Sequence, residues 1–265
     1  METQAKTSYA FVLRPKWIFG HLLAITMIAI MVWCGFWQLS RLHEKRQIKQ
    51  NVAARSTQPV IDVAELFPVG GSVDVDQLEY RNVRATGTFD GDNEVLVRNR
   101  TDGDGQQGFG LLTPLVLDDG RAVIVERGWI AATLGEGIDQ RPVPGVELPP
   151  GQQSVTGLLL TTESRGMFGP TDPPTGQLAT LSRVDLERYQ SQVPYELIPM
   201  TLLIERQSST PFDAVPRPFS RPSPSEGSHL SYAGQWFLFS TIVAIGWPIV
   251  LIRTARGKRT NKARI

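Results

Sequence analysis

The chain has 265 residues, with 27 lysines and arginines against 26 aspartates and glutamates, and that near-neutral sum conceals a sharp division. Residues 56–228 carry 24 acids and 13 bases, all of them arginine, whereas the flanking segments carry 2 acids and 14 bases. One cysteine, Cys34, excludes an intrachain disulfide and Cys-pair metal or redox sites. The three histidines, His21, His43 and His229, leave 56–228 without a His-dependent catalytic pair or a His- or Cys-ligated zinc or copper site.

Residues 1–16 precede the first apolar run. Trp17 to Leu39 holds no formal charge over 23 residues. A helix rises about 1.5 Å per residue, so roughly 20 residues cross an apolar layer of about 30 Å. Trp17 and Trp37 stand near the two ends of the run, where an aromatic belt would place them. A cleaved signal peptide fits poorly, because the run is longer than such peptides use and bulky Trp37 and Leu39 occupy the place of small residues. Residues 40–55, without Pro or Gly from Arg41 to Arg55, predict a helical stalk.

Residues 56–206 predict a β-rich domain. Val83–Phe89 alternates, and Glu94–Arg98 carries an apolar run. Leu111–Leu117 and Arg121–Ile130 flank Asp118-Asp119-Gly120, a hairpin turn. Val155–Leu160 and Leu197–Glu205 read as further strands. Ser182 caps a short helix over Arg183–Tyr189. The stretches 135–152 and 166–176 read as loops. Residues 207–229 are rich in Pro and Ser and read as a linker. Leu230 to Ile252 is a second run of 23 residues without formal charge, and 253–265 is a basic tail. That tail places the C-terminus in the cytoplasm by the positive-inside rule. The flanks of the first run favour the opposite sense, with Lys6, Arg14 and Lys16 before it and five bases after it. The stronger C-terminal signal is followed here, so both termini are cytoplasmic. The expected fold is a membrane protein: two transmembrane helices form a hairpin that flanks an extracytoplasmic α+β domain, its sheet antiparallel or an open barrel.

Candidate chemistry is sparse. Gly103 to Gly108 matches G-x-G-x-x-G, but an apolar strand follows rather than the helix that dinucleotide binding needs, so a hairpin loop is expected. Asp102 and Asp104 lack EF-hand spacing. Arg81, Arg84, Arg98, Arg100 and Arg127 read either as an anion site or as surface charge on alternating strands. The bases flank apolar runs, which gives no nucleic-acid signature. The span boundaries say more. On a helix His229, Tyr232, Ala233 and Trp236 share one face, and Trp33, Trp37 and Arg41 share another. His229 at a membrane edge either ligates a haem iron through a neutral nitrogen or hydrogen-bonds headgroups or the adjoining domain. His21 is about 20 Å or more away along the helix axis and cannot ligate the same iron.

Four segments carry a resemblance. They are Gly35–Lys45 (GFWQLSRLHEK); Tyr80–Asn99, with Gly87-Thr88-Phe89 and Leu96-Val97-Arg98-Asn99; Gly108–Ile130, with Arg127-Gly128-Trp129-Ile130; and His229–Phe237 (HLSYAGQWF). In this order they resemble the surfeit locus protein family, the Surf/Shy assembly factors of haem-copper cytochrome oxidase. The resemblance implies a non-enzymatic factor of a bacterial plasma membrane that assists haem a insertion into, or stabilisation of, subunit I of cytochrome c oxidase. It implies haem a as a transient ligand, with His229 as the candidate axial ligand and Tyr232, Trp236, Trp37 and Arg41 around it. Subunit I, haem a synthase or the wider respiratory complex, and the lipid membrane are the implied partners. The alternative is a membrane-anchored scaffold bound to the oxidase without handling haem. A membrane-anchored enzyme would need a carboxylate-only site, for which no spacing singles out a pair.

Overall fold

The computed structural model describes residues 9–135, 137, 140–167, 169–204, 215–219 and 226–262. Much of the Pro/Ser-rich stretch (207–214 and 220–225), Lys6, and the side chains of Lys258, Arg259, Lys262 and Arg264 lie outside the described residues, as do the expectations placed on them.

A 3-10 turn, Ala10–Leu13, leads into helix α1, Pro15–Ser56, with proline at the first helical position where its missing amide is harmless. One helix thus carries both the charge-free run and the charged residues after it. It stops where the Thr57 hydroxyl turns back onto the carbonyls of Ala53 and Ala54 at 3.1 and 3.2 Å. Strand β1 (Ile61–Asp62) passes into helix α2 (Val63–Leu66) because Asp62 Oδ1 accepts the Ala64 amide at 2.9 Å. Asp74 caps α3 (Val75–Leu78) in the same way.

Then come β2 (Asn82–Phe89), β3 (Val95–Thr101), β4 (Gln107–Leu117), β5 (Ala122–Ala131), α4 (Ala132–Gly135) and β6 (Gln152–Leu160). They are followed by β7 (Thr180–Leu181), α5 (Leu186–Gln190), β8 (Leu197–Leu203) and α6 (His229–Lys262). The chain divides into two compact units, Gln50–Ser223 and the paired segments Met1–Lys49 and Pro224–Ile265.

In the Gln50–Ser223 unit the strand order is β1-β2-β6-β8-β5-β4-β3-β7. The sheet is mixed. Pairings β2·β4, β2·β6, β3·β4, β4·β5 and β6·β8 are antiparallel, and β1·β2, β3·β7 and β5·β8 are parallel. An open edge was expected, but Gly87, Thr88 and Phe89 of β2 pair with Leu117, Val116 and Leu115 of β4 and close five strands into a ring. Glycine permits that closure, since a Cβ at residue 87 would press into the Val116 carbonyl oxygen. Inside lie Val83, Ala85, Leu115, Val123, Val125, Leu159, Met200 and Leu202, with Val63 and Phe67 from the α2 segment. A second cluster around Tyr189, Leu112 and Ile124 and a third around Leu96, Leu111 and Ile130 cover the outside. β5 is therefore buried on both faces along nearly its whole length, which explains why it reads as a continuous apolar run rather than an alternating one.

One local expectation holds and one changes. The glycine-rich stretch at 103–108 is the turn into β4, held by Asp102 Oδ1, which accepts the amides of Asp104 (3.0 Å) and Gln106 (2.8 Å). No helix follows it, so the geometry for a dinucleotide is missing. The short helix begins at Leu186, capped by Asp185 rather than Ser182. Asp172 Oδ2 captures both the amide and the hydroxyl of Ser182 at 2.8 Å, which commits that residue to the end of β7.

Two helices, Pro15–Ser56 and His229–Arg256, are long and apolar enough to cross a membrane, and their apolar runs lie in the other unit. Their apolar side chains, among them Ile18, Phe19, Leu22, Trp33, Leu238 and Ile245, are largely uncovered, which fits a lipid surrounding. Contacts ascend α1 as they descend α6: Trp17 and His21 meet Trp247, Phe36 meets Phe237, and Gln38 meets His229. The helices run antiparallel. Small residues set their spacing, because a Cβ on Gly20 would lie 2.6 Å from the Trp247 ring and one on Gly35 would lie 2.7 Å from the Phe237 ring.

Candidate functional site

His229 opens α6, and its Nδ1 stands 2.7 Å from Gln38 Oε1 at the end of the apolar run of α1. An amide oxygen only accepts, so Nδ1 carries the proton and donates it. Nε2 makes no hydrogen bond among the described residues, and in the neutral form of the ring it is the nitrogen that holds the lone pair. A ring nitrogen left available while its partner is fixed by an outer amide is the arrangement by which proteins orient imidazole for metal ligation. The contact depends on the close approach at Gly35, where the Phe237 ring lies and Phe36 packs edge-on at 5.4 Å.

The other four sequence-predicted residues divide. Tyr232, one turn beyond His229, is 49% exposed. Trp236, two turns on, meets Phe239 edge-on at 6.5 Å. Arg41 places its guanidinium 5.8 Å from the Trp37 ring centroid and bonds Glu44 at 2.7 Å. Among the described residues neither Trp37 nor Arg41 forms a hydrogen bond, ion pair or ring contact with His229, Tyr232 or Trp236. The structure brings His229 to Gln38 and Arg41 to Trp37 as two separate pairs. Gln38 is the residue that sequence reasoning missed. Its signal was an amide at the end of a charge-free run, at the depth where the second run begins.

Just before α6, Glu226 accepts from Arg46 at 3.0 Å, with Lys49 at 3.6 Å. The Arg46 hydrogen bond holds the Glu226 carboxyl below its usual range. At the opposite end of the helix pair His21 has the reverse arrangement. Trp247 Nε1 donates to its Nδ1 at 2.8 Å, so the proton sits on Nε2, which is buried without a partner. His43 contacts only Gln47, at 2.8 Å and one turn along α1, among the described residues.

The arginines of the barrel do not converge on an anion. Arg98 pairs with Asp172 at 2.8 Å and Arg100 with Glu163 at 2.6 Å, while Arg81 bonds Gln58. Arg127 is buried rather than on the surface, and pairs with Glu94 at 3.0 Å. Glu94, 2% exposed, also accepts the Thr113 hydroxyl at 2.7 Å and the Val143 amide at 3.0 Å. Burial draws the Arg127 pKa down and the adjacent Glu94 charge draws it back up. Asp102, the possible calcium ligand, is occupied by Arg217.

The sequence profile described as the SURF1 family matches residues 25–241. An uncharacterized SURF1-like protein of Mycobacterium bovis is 28% identical over 270 residues, covering 96% of this chain and 90% of that protein. A SURF1-like protein of Rickettsia felis is 26% identical over 225 residues, covering 82% of this chain and 90% of its own. The cytochrome oxidase assembly protein SHY1 of Saccharomyces cerevisiae is 34% identical over 117 residues, 44% of this chain and 28% of that protein.

Proposed function

The chain belongs to the SURF1 family, and from that premise we propose that it is a non-catalytic assembly factor of a haem-copper cytochrome c oxidase. The yeast relative's name as a cytochrome oxidase assembly protein supports this reading. In the finer form of the proposal the protein lies in a bacterial plasma membrane with both termini cytoplasmic and the barrel outside. It assists the entry of haem a into subunit I, or steadies subunit I while that happens.

The single observation that carries the haem reading is the Gln38–His229 contact. It leaves Nε2 without a hydrogen-bond partner among the described residues, a donor that would suit a haem iron. When bound, haem a would supply an iron centre that accepts such a ligand. Gln38 fixes the ring, His229 offers Nε2, and Tyr232 and Trp236 present aromatic surface on the same helix face. The 11-charge excess of acids over bases in 56–228 favours a second role for the barrel, recognition of a partner by charge.

The test is to purify the protein from membranes that make haem a and to record visible spectra of wild type and His229→Ala. Bound haem in wild type and its loss in the variant are expected. No haem in wild type, or equal haem in both, overturns the ligand role. Unchanged haem a content and oxidase activity in membranes of a deletion strain overturn the assembly role itself.

A further inference from the structure

The barrel contains two buried glutamates that are treated very differently. Glu94 faces its own arginine and two further donors, as described above. Glu126, 8% exposed, receives only the Thr201 hydroxyl on Oε1 at 2.7 Å, and no ion pair reaches it among the described residues. It lines a cavity of about 630 Å³ together with Glu79, Tyr80, Arg100, Glu163 and Phe219. That volume lies within the range of about 300–1,000 Å³ typical of sites for small groups.

Among the described residues the charges lining this cavity do not balance. Arg100 bonds Glu163 Oε1 at 2.6 Å, and the second oxygen of Glu163 accepts the Val184 amide at 3.0 Å, so these two cancel. Glu79 and Glu126 remain. Glu79 accepts the Thr161 hydroxyl at 3.1 Å; Arg55 bonds the carbonyls of Asp76 and Glu79, keeps its charge nearby, and makes no ion pair with the Glu79 carboxyl among the described residues. The remaining wall, Leu160, Leu203 and Phe219, is apolar.

The backbone around the cavity is also unusual. Tyr80 (φ 66°) and Asn99 (φ 59°) are the non-glycine residues with left-handed backbone among the described residues. One lines the cavity. The other sits in the register shift of β3 between Val97 and Arg100, directly before Arg100. Such conformations carry backbone strain and collect where a side chain must be aimed.

We propose that this cavity receives the guanidinium of an arginine side chain from a basic segment of a protein partner. A planar, always-charged fork suits two carboxyls, and its flat face suits the ring and the leucines. The acid excess of the surrounding stretch steers such a segment toward it. The site is independent of the haem reading, since it uses none of the helix residues.

The carboxyl of Glu126 adds a signature. Burial pushes it up, the Thr201 hydrogen bond and the Arg100 charge work against that rise, and Glu163 adds to it. An arriving cation favours the ionised form, so it displaces a proton, and binding tightens as pH rises through the Glu126 titration. Arg100, Glu163, Glu79 and Tyr80 are the other titratable groups lining the cavity.

The experiment titrates the full chain in detergent with N-acetyl-arginine amide, with the neutral isostere N-acetyl-citrulline amide, and with free arginine. The arginine amide is expected to bind saturably and the citrulline amide about tenfold or more weakly, as a charge-assisted hydrogen bond implies. Glu126→Gln, which keeps the shape and the Thr201 partner, lowers arginine-amide affinity by a similar factor and flattens its pH dependence. Glu79→Gln at the rim lowers it independently, and carries the test if Glu126→Gln does not fold. Absence of saturable binding, equal binding of citrulline amide, or undiminished binding in the variants overturns the proposal. Tighter binding of free arginine than of the blocked amide overturns the partner-side-chain form in favour of a free metabolite.

Discussion

The two ends of the helix pair each set a histidine of one helix against a polar group of the other, and the rings end in opposite tautomers. At His229 the partner is an acceptor, the Gln38 oxygen, so the lone pair is left on Nε2. At His21 the partner is a donor, the Trp247 indole, so Nε2 carries a proton and is buried with nothing to receive it. An imidazole in an apolar run is therefore neither a metal ligand nor filler by its sequence position. The hydrogen-bonding sense of one neighbour decides which nitrogen is available.

Three substitutions would break or sharpen that contrast. The largest effect is expected in the other unit and serves as its control. Arg127→Ala leaves Glu94 buried without its cation, and should lower barrel stability by about 3–5 kcal/mol. Chemical denaturation measures this, while the nitrogen-15 signatures of His21 and His229 should stay as they are. A change in either signature would mean that the two tautomers are not set locally. Next is Gln38→Leu, which removes the acceptor that fixes His229. A mixture of its two tautomers should appear by nitrogen-15 NMR, and any metal affinity at Nε2 should fall by about 10–100-fold. A tautomer unchanged in this variant would show that something other than Gln38 holds the ring. The smallest is Trp247→Phe, which keeps an aromatic ring but deletes one hydrogen bond, worth about 0.5–1.5 kcal/mol in the helix pair, and shortens the ring that meets Gly20. His21 should lose its tautomer preference while His229 keeps its own, and helix association measured in detergent reports the energy.

What could be read in advance follows from the range of the interactions. Two runs of 23 residues without charge were legible because their length and composition alone suit a membrane crossing. The β4–β5 hairpin was legible for the same local reason, with Gly120 supplying the positive φ of its turn. Ring closure was not, since Gly87 meets Val116 through a pairing that leaves no periodic trace in either strand. The cap of α5 was misplaced because Asp172, ten residues away, competes for Ser182. Arg127 looked like surface charge because alternation was assumed, whereas β5 is covered on both sides. Gln38 escaped notice because its partner lies 191 residues further along the chain.

The way the mixed sheet ends has a further consequence. Beyond the closed ring, the outermost strands β1 and β7 are two residues long each. At those two ends an incoming chain finds only two residues of edge strand to pair with, which disfavours strand addition there. A partner that docks at either of those ends must read side chains rather than backbone, and two copies of the domain gain little by meeting there end to end.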